Sequence, residues 1–494
     1  ACNRDKSSAT LLAEAKQYQQ KGDRKAALIQ LKNAVAQSPE DGEARIALGA
    51  LHLELGDIPS ADKEIRKAAS LGISAERTMP LLARTLQAQG KFKELLDQVT
   101  PEKAKNSAPL LALRGDALLA TGDAAGAKES YNQALALAPK SGAALVGLAR
   151  HSMVNKDRAS AERYIADAMA KAPEDPEVWM FQASLLQSEN KRDEALAVLD
   201  KVLTLNPGHR TAHIEKAYLE IGLGKYDAAK ADIDAANKTT PGNLLVIYTQ
   251  ALLDFTQGKH AAARESLQKV LRAAPDHLPS VLLAGAVDLQ LGSVQQAEAY
   301  LRQYLAADPT NPYARKLMAQ TQLKGGKPND AIENLDPLLK ESTQDPHLMA
   351  IAGESYMQAR KFDQAVVYFE KAIALAPKSA ALYISLGMSR LGAGDREKGL
   401  GDLRTAVALD PKSVQAGMVL TRAEMGVREY DKALEAVQAL EKQHPDNAEV
   451  QNLKGGVYLA KGDRANARAA FDKAVALQPT LLAALRNLVQ LDLV

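Results

Sequence analysis

Small and bulky apolar residues recur in a fixed order along this 494-residue chain, and the order returns every 34 residues. Gly-Asp-Arg opens both residues 22–41 and residues 462–481, and the two stretches close on a proline at the same offset, Pro39 and Pro479. The closing proline recurs at multiples of 34 residues over most of the interval between them, provided that one unit, 76–107, is two residues short. Self-similarity at such a period is typical of repeat architectures.

Each repeat is predicted to form two helices joined by a tight turn. Counted from residue 8, fourteen units end at residue 481. Apolar residues recur at helical spacing on both sides of position 15, which is Gly in ten units and breaks the helix. Position 8 is Gly or Ala in thirteen units and position 20 is Ala in twelve, so two antiparallel helices can approach closely. The proline ends the second helix, and the whole chain is predicted to be all-α.

A single helical hairpin cannot bury its apolar face, so neighbouring repeats are expected to stack into one continuous core. The 34-residue period, the small positions 8 and 20 and the bulky position 24 (Tyr131 and Phe471, for example) resemble the tetratricopeptide repeat (TPR) over residues 8–481. The resemblance implies a right-handed superhelical solenoid of about 14 helix-turn-helix repeats, whose first helices line a concave groove. The family's usual aromatic residue at position 4 survives mainly as Trp179 and Tyr383.

Composition narrows the function further. Net charge is +2 with both signs interspersed, which excludes the electrostatic footprint of a nucleic-acid binder. No apolar run is long enough to cross a bilayer. The sequence has no phosphate-binding glycine loop, HExxH pair or nucleophile elbow, so we expect no enzyme, no cofactor and no metal site. The closest histidine pair, His209 and His213, is expected to lie on the surface.

The N-terminal residues suggest a lipid anchor. Ala1–Cys2 resembles the end of a bacterial lipobox, with Cys2, the only cysteine, as the lipidated residue and Asn3–Ser7 as a polar tether. Asn3, rather than Asp, after the cysteine is similar to lipoproteins of the outer membrane. We therefore expect a lipoprotein on the periplasmic face of the outer membrane of a Gram-negative bacterium, touching the membrane through its lipid alone. The alternative is an unmodified cysteine at the edge of this stretch of sequence.

Residues 482–494 resemble most of the first helix of another repeat, with Val489 at position 8, where Gly or Ala is expected. They predict a partial further repeat, cut from a longer array. A divergent capping helix stays open as the alternative, and so does self-association through the ends of the solenoid.

Positions 5, 9 and 12 of the first helices face the groove in other TPR proteins, and here they are rich in Met, Leu, Ile and Tyr. Such a lining suits adaptable apolar contact with a peptide or a partner helix. The alternative is packing between helices. The Lys/Asn clamp that holds a C-terminal carboxylate in chaperone-binding TPR domains is not apparent. The candidate groove residues are Met180, Ile214, Tyr218, Ile221, Tyr248, Leu252, Leu282, Met357, Ile384, Met388, Met418, Arg422 and Met425.

The first three units carry a more particular resemblance. It lies in AALIQLKNAVAQSPEDGEARIALGALHLELGDIPSADKEIRKAASLGI (26–73) and PLLARTLQAQGKFKELLDQV (80–99). These stretches are similar to the TPR lipoproteins of the exosortase (PEP-CTERM) system in exopolysaccharide-producing Gram-negative bacteria. The resemblance implies a non-enzymatic scaffold for envelope proteins or peptides, in exopolysaccharide production or export or in PEP-CTERM protein sorting. Two alternatives stay open: the TPR portion of a larger exopolysaccharide export machine, or that of a glycosyltransferase whose catalytic domain is absent here.

Overall fold

A computed structural model describes residues 6–341 and 344–493 of the chain. These residues form helices and short connections and contain no β-strand. The chain divides into two compact units, unit 1 (Ala1–Ala273) and unit 2 (Ala274–Val494). Cys2, the predicted lipidation site, lies outside the described residues.

The helices of unit 1 are α1 (Ser8–Gln20), α2 (Arg24–Gln37), α3 (Gly42–Leu55), α4 (Ile58–Ser70), α5 (Ala75–Ala88), α6 (Phe92–Gln98), α7 (Pro101–Ala104), α8 (Ala108–Ala120), α9 (Ala124–Leu137), α10 (Gly142–Val154), α11 (Arg158–Lys171), α12 (Pro176–Ser188), α13 (Arg192–Leu205), α14 (Arg210–Gly222), α15 (Tyr226–Thr239), α16 (Leu244–Thr256) and α17 (His260–Ala273).

The helices of unit 2 are α18 (Leu278–Gln290), α19 (Val294–Ala307), α20 (Pro312–Lys324), α21 (Pro328–Lys340), α22 (Pro346–Gln358), α23 (Phe362–Leu375), α24 (Ala380–Gly392), α25 (Arg396–Leu409), α26 (Val414–Gly426), α27 (Tyr430–Gln443), α28 (Ala448–Ala460), α29 (Arg464–Leu477) and α30 (Leu482–Asp492).

Consecutive helices pack in pairs, each pair being the predicted hairpin, and the prediction of all-α helix-turn-helix repeats is confirmed for the described residues. First helices also contact the first helix of the next pair, as α8 does with α10 in unit 1 and α20 with α22 in unit 2. Among the described residues, successive second helices make no contact of similar extent. The first helices therefore form the closely spaced face of each unit, which corresponds to the groove side predicted from the sequence.

The turn at position 15 adopts a left-handed backbone conformation in every pair. Gly22 is one of ten glycines there, with a φ of +73°. Lys156, Asn190 and Arg360 (φ 59°) and Arg428 (φ 65°) take the same conformation with a side chain present. A Cβ atom makes this conformation costly by about 1–2 kcal/mol. These four turns are therefore strained relative to the glycine turns.

The small residue at position 8 makes room for the bulky residue at position 24 of the same pair. A methyl group on Gly115 would lie 2.5 Å from Tyr131 Cε1, and one on Gly455 would lie 2.5 Å from Phe471 Cδ1. Tyr131 and Phe471 are fully buried. The sequence predicted close contact between positions 8 and 20, but in these pairs the tightest contact of position 8 is with position 24.

The side chain at position 4 forms a recurring hydrogen bond, whether or not it is aromatic. In five repeats the position-4 side chain donates to the carbonyl oxygen of the loop proline six residues earlier, at 2.7–3.3 Å. We call this bond the proline latch. It ties the start of the first helix to the loop that precedes it. The five donors are Arg45, Trp179, His213, Arg315 and Gln451.

The short unit differs from the others after its first helix. Its second helix, α6, has only seven residues, and the four-residue α7 follows. Thr100 begins α7 by accepting from the Lys103 amide (3.4 Å), and Pro101 takes the first helical position. Arg114 then donates to the Val99 carbonyl at 2.8 Å and joins this connection to α8.

Candidate functional site

The clearest apolar patch among the groove candidates lies on α14 and α16 of unit 1. We call it the tyrosine patch, and it consists of Tyr218, Leu245, Tyr248 and Leu252. Tyr218 is 50% exposed and Leu245 is 48% exposed, which is high for large apolar side chains. Tyr248 and Leu252 are half-buried. Sequence reasoning found three of the four and missed Leu245, which stands at position 2 of its repeat.

Helix geometry places these side chains together. Leu245, Tyr248 and Leu252 follow one another at spacings of three and four residues, so they share one face of α16. Tyr218 projects from the neighbouring α14, and its hydroxyl hydrogen-bonds with Tyr248. Burial first, and then the neighbouring Tyr218, raise the pKa of Tyr248. The patch therefore combines an apolar surface with a neutral hydroxyl pair.

The tyrosine patch lies over a buried apolar cluster of unit 1. Ile214 and Leu252 pack against the buried cluster that contains Ile233 and Ile221. Met180, on the preceding first helix, is half-buried against a separate cluster around Leu199. Ile214 therefore borders the patch, and only part of each of these three side chains remains available to a partner.

Three candidate groove residues lie in the core. Ile221 is 6% exposed, Ile384 is 6% exposed and Met418 is 7% exposed, each within a buried apolar cluster. Position 12 in α14, position 5 in α24 and position 5 in α26 thus pack between helices, which is the alternative that the sequence left open. For these three residues the groove assignment is replaced by a structural one.

The other candidates of unit 2 keep some or most of their surface. Met388 is 45% exposed on α24. Leu282, Met357 and Met425 are half-buried, and Arg422 is exposed on α26. The structure does not gather them into one patch comparable with that of unit 1.

Arg422 borders a pocket of about 310 Å³ in unit 2, formed by α26, α28, α30 and the loop before α30. Asn487 Nδ2 donates to Asn452 Oδ1 at 2.9 Å on the opposite wall. Arg422 forms no ion pair with any residue that the structure describes. Met418 contributes what little surface it exposes to the pocket.

His213 is buried, and its expected surface position is wrong. Its Nδ1 donates to Asp232 Oδ1 at 2.5 Å, and its Nε2 donates to the Pro207 carbonyl at 3.0 Å. Burial opposes the charged ring, but these two bonds outweigh it and raise the pKa of His213. Lys216 Nζ lies 3.2 Å from Asp232 Oδ2, so the cluster is largely self-neutralising.

Glu220, four residues after Lys216 on α14, also belongs to this cluster, and Lys216 Nζ lies 3.8 Å from its Oε1 atom. Its Oε2 atom is buried and has no hydrogen-bond partner among the described residues. Burial and then the negative charge of Asp232 raise the pKa of Glu220 to about 7. The carboxyl group is therefore partly protonated near neutral pH.

His209, the other member of the histidine pair, is half-buried. Its Nδ1 atom accepts a hydrogen bond from the Ala212 amide at 3.1 Å and so caps α14.

Opposite charges at equal positions of adjacent repeats link the first helices. Arg77 donates to Glu43, and Arg150 Nη1 lies 3.1 Å from Asp116 Oδ1, in both cases across one full period. The sequence analysis did not identify these bonds. Their signal is simple, because the charge changes sign at position 2 or position 9 between neighbouring units.

Two kinds of feature are absent from the part of the chain that the structure describes. In residues 6–341 and 344–493, no helix combines the length and apolar character needed to span a bilayer. Across the same ranges, no three His, Cys, Asp or Glu side chains lie together as a metal site would require.

Solved structures similar to the chain include the following three. The APC/C hetero-tetramer Cut9–Hcn1 is 15% identical, with 98% of this chain and 96% of that chain covered and a TM-score of 0.43. A tetratricopeptide repeat protein from Parabacteroides merdae is 19% identical (50% and 97% covered, TM-score 0.38). PilW, a type IV pilus biogenesis factor, is 19% identical (43% and 98% covered, TM-score 0.38).

No curated protein matches the chain. Two tetratricopeptide-repeat family models do. One matches residues 12–74, 182–243, 352–414 and 418–481. The other matches residues 118–185, 254–321 and 288–354. The first model alone covers slightly more than half of the chain, with repeats in both units, and the chain therefore belongs to the tetratricopeptide-repeat family.

Proposed function

We propose that the protein is a non-enzymatic scaffold that binds an extended segment of a partner protein on the first-helix face of unit 1. The observation that carries this proposal is the tyrosine patch. Tyr218 and Leu245 expose about half of their side chains next to the half-buried Tyr248 and Leu252. When a partner covers apolar surface that is exposed to water in the free protein, the free energy of the system falls and binding is favoured.

The chemistry of the patch favours a polypeptide ligand. Two tyrosines supply large, rigid contact areas with a polar edge, as at many protein interfaces. Leu245, Leu252 and the adjoining Ile214 add aliphatic surface around them. Side chains of a bound peptide can fill such a surface in more than one way.

Selection from a random peptide library on the purified chain, followed by binding measurements, tests this proposal. Replacing Tyr218, Tyr248 and Leu252 together with Ala should weaken the selected peptides at least about tenfold, because central aromatic contacts carry most interface energy. Tyr218→Ala alone, at an exposed position, should weaken them with no loss of helical signal. Equal affinity for parent and triple variant would reject the patch as the binding site.

A matched control is available on the second helices. Ile29, Val367 and Leu375 are also large, apolar and exposed, at 58%, 47% and 39%. Replacing these three with Ala removes a similar apolar surface from the opposite face of the repeats. This variant should bind the selected peptides like the parent, and a comparable loss would indicate a nonspecific effect.

The cellular setting we propose is the periplasmic face of the outer membrane, with a lipid on Cys2 as the only membrane contact. There the scaffold would hold envelope proteins that act in exopolysaccharide production or export, or in PEP-CTERM protein sorting. The support is the similarity of residues 26–73 and 80–99 to lipoproteins of that system, together with the lipobox-like Ala1–Cys2. Deletion of the gene should therefore reduce secreted exopolysaccharide or misdirect PEP-CTERM proteins, and normal levels of both would refute this setting.

A further inference from the structure

Unit 1 contains a pocket of about 610 Å³ between segments that are distant in sequence. One wall comes from the turn between α1 and α2, a second from the end of α3, and a third from residues 238–244. None of the four tyrosine-patch residues lines it. Arg210 lies outside the lining and donates from Nη1 to the carbonyl oxygen of Leu55, in the second wall, at 3.2 Å. A volume of this size falls within the usual range of ligand sites.

The pocket holds an excess of positive charge. Arg24, Lys25, Lys32 and Lys238 all line it. The three lysines form no ion pair with any residue in the described ranges, and the nearest carboxylate to Arg24 is Glu54, at 3.8 Å. Cations left unpaired in a shared concave site attract anions to it.

The two acidic side chains of the pocket are already engaged. Asp23 Oδ1 accepts from the Ala26 amide at 3.0 Å and thereby caps α2. Asp57 accepts from the Ser60 amide at 3.2 Å and caps α4, while its other oxygen lies 3.0 Å from His52 Nδ1. Both carboxylates keep their negative charge, so four cations and two anions line the pocket and its net charge is about +2.

The apolar side chains of the pocket are aliphatic, and Thr239, Thr240 and Asn243 add uncharged polar groups. Leu28, Leu55, Leu244 and Pro241 supply the apolar part, and none of the described residues that line the pocket is Phe, Tyr or Trp. Sugar rings and nucleobases gain much of their affinity by stacking on aromatic side chains. Aliphatic side chains beside carboxylates suit this lining better.

We propose that this pocket is a second binding site, which takes an acidic polypeptide segment with aliphatic residues between its carboxylates. The carboxylates contact Lys25, Lys32 and Lys238, and the aliphatic side chains cover Leu28 and Leu244. The site is separate from the tyrosine patch, so one chain can hold two segments at the same time.

Fluorescence anisotropy with a labelled hexapeptide of alternating Asp and Leu tests the proposal on the full chain. The double variant Lys32→Glu, Lys238→Glu should raise the Kd at least about tenfold, a change of about 1.4 kcal/mol. Both lysines are exposed, so the variant should keep its helical signal. Raising the salt from about 50 to about 300 mM should weaken the parent's binding, because added ions screen these contacts.

Lys63→Glu with Lys140→Glu is the matched control, since both lysines are exposed, lie in unit 1 and lie outside the pocket. It changes the net charge by the same amount and should leave the Kd within about twofold. An equal loss in this control would attribute binding to net charge and overturn the site. No saturable binding of the hexapeptide to the parent, or equal binding of a version with Asn in place of Asp, would overturn it as well.

Two further arms test the ligand class and the independence of the site. Stronger competition by oligogalacturonate or by inorganic pyrophosphate than by the unlabelled hexapeptide would overturn the assignment to a polypeptide. The tyrosine-patch triple variant should bind the hexapeptide like the parent. A large loss in that variant would place the peptide on the patch and not in the pocket.

Discussion

Arg210 Nη1 donates a hydrogen bond of 3.2 Å to the carbonyl oxygen of Leu55, across 155 residues of sequence. Gly56 makes this approach feasible, since a methyl group there would lie 2.6 Å from the same Nη1 atom. Repeat arrays are held together mainly by contacts between neighbours. This bond, in contrast, joins repeats that are far apart along unit 1.

Arg210→Ala should loosen both sides of this contact. Loss of this hydrogen bond should destabilise the contact locally by about 1 kcal/mol. The loss is less than a hydrogen bond from a charged donor can contribute, because the substitution also removes Arg210 Nε, which is buried without a hydrogen-bond partner among the described residues. Hydrogen exchange should become faster near residues 52–57 and 206–212. Arg192→Ala, at an exposed position of α13, should leave both segments unchanged. Unaltered exchange in the Arg210 variant would mean that the bond contributes nothing to stability.

The non-glycine turns should be improved by glycine. Arg360→Gly and Arg428→Gly remove the cost of a left-handed conformation, which is about 1–2 kcal/mol for a residue with a Cβ atom. Glycine also makes the unfolded chain more flexible, which offsets part of this stabilisation. A net stabilisation of about 0.5–1 kcal/mol is expected from urea unfolding. Asn190→Gly should gain less, because Asn tolerates this conformation. Gly258→Ala, at φ +75°, is the reverse change and should destabilise the protein.

Two adjacent glycines of α28 should respond in opposite directions to alanine. Gly455→Ala would force a methyl group to within 2.5 Å of Phe471 and should cost about 1–3 kcal/mol. Gly456 meets nothing closer than 4.0 Å, so Gly456→Ala should stabilise the helix by about 0.5–1 kcal/mol. Thermal unfolding followed by circular dichroism compares the two. Equal effects of the two substitutions would contradict the packing of position 8 against position 24.

Glu220 should make stability depend on pH. Its pKa of about 7 in the folded protein lies above the ordinary value of about 4.3, so the folded state binds the proton more tightly. The stabilisation of the folded state by this proton is complete below about pH 4 and is lost as the pH rises through 7. Glu220→Gln should therefore match the parent at about pH 4 and exceed it at about pH 8, on the order of 1 kcal/mol.

Urea unfolding followed by the fluorescence of Trp179 measures this effect, because that tryptophan lies one repeat before Glu220 and is the only one in the chain. Glu215→Gln, on the same helix, is the control for the loss of one carboxylate from α14, and its unfolding is compared with the parent's in the same way. A constant difference between the Glu220 variant and the parent at all pH values would argue against a raised pKa.

Cys2→Ser tests the proposed anchor. With its native signal sequence, the parent should partition with outer membranes, and the variant should appear in the soluble periplasmic fraction or remain unprocessed. Fractionation at matched expression levels measures this. Membrane association that is unchanged by the substitution would exclude lipid on Cys2 as the attachment.

The features that recur in every repeat could be predicted from the sequence, whereas contacts between distant parts of the chain could not. The period, the small residue at position 8 and the turn at Gly22 follow from local helix geometry, so they could be read directly. The contact of Arg210 with Leu55 depends on the rotation that accumulates over several repeats, which no local pattern reports. His213 was misplaced because a lone histidine carries no sign of its buried partner, Asp232, on the second helix of its hairpin.

The candidate groove shows the same division. Tyr248 and Leu252 stand four residues apart in α16, so their shared face follows from the sequence as a property of one helix. Whether a position-5 or position-12 side chain is covered depends on the size of its neighbours on other helices. Ile221, Ile384 and Met418 are covered for this reason.

The proline latch has a consequence for finding repeats of this kind in other sequences. A profile that requires an aromatic residue at position 4 rejects units such as those of Arg45, Arg315 and Gln451. A rule that asks only for a side-chain N–H donor six residues after a loop proline accepts them, together with His213 and Trp179. Degenerate arrays could therefore be recognised by a shared hydrogen-bond function at that site, where residue identity has been lost.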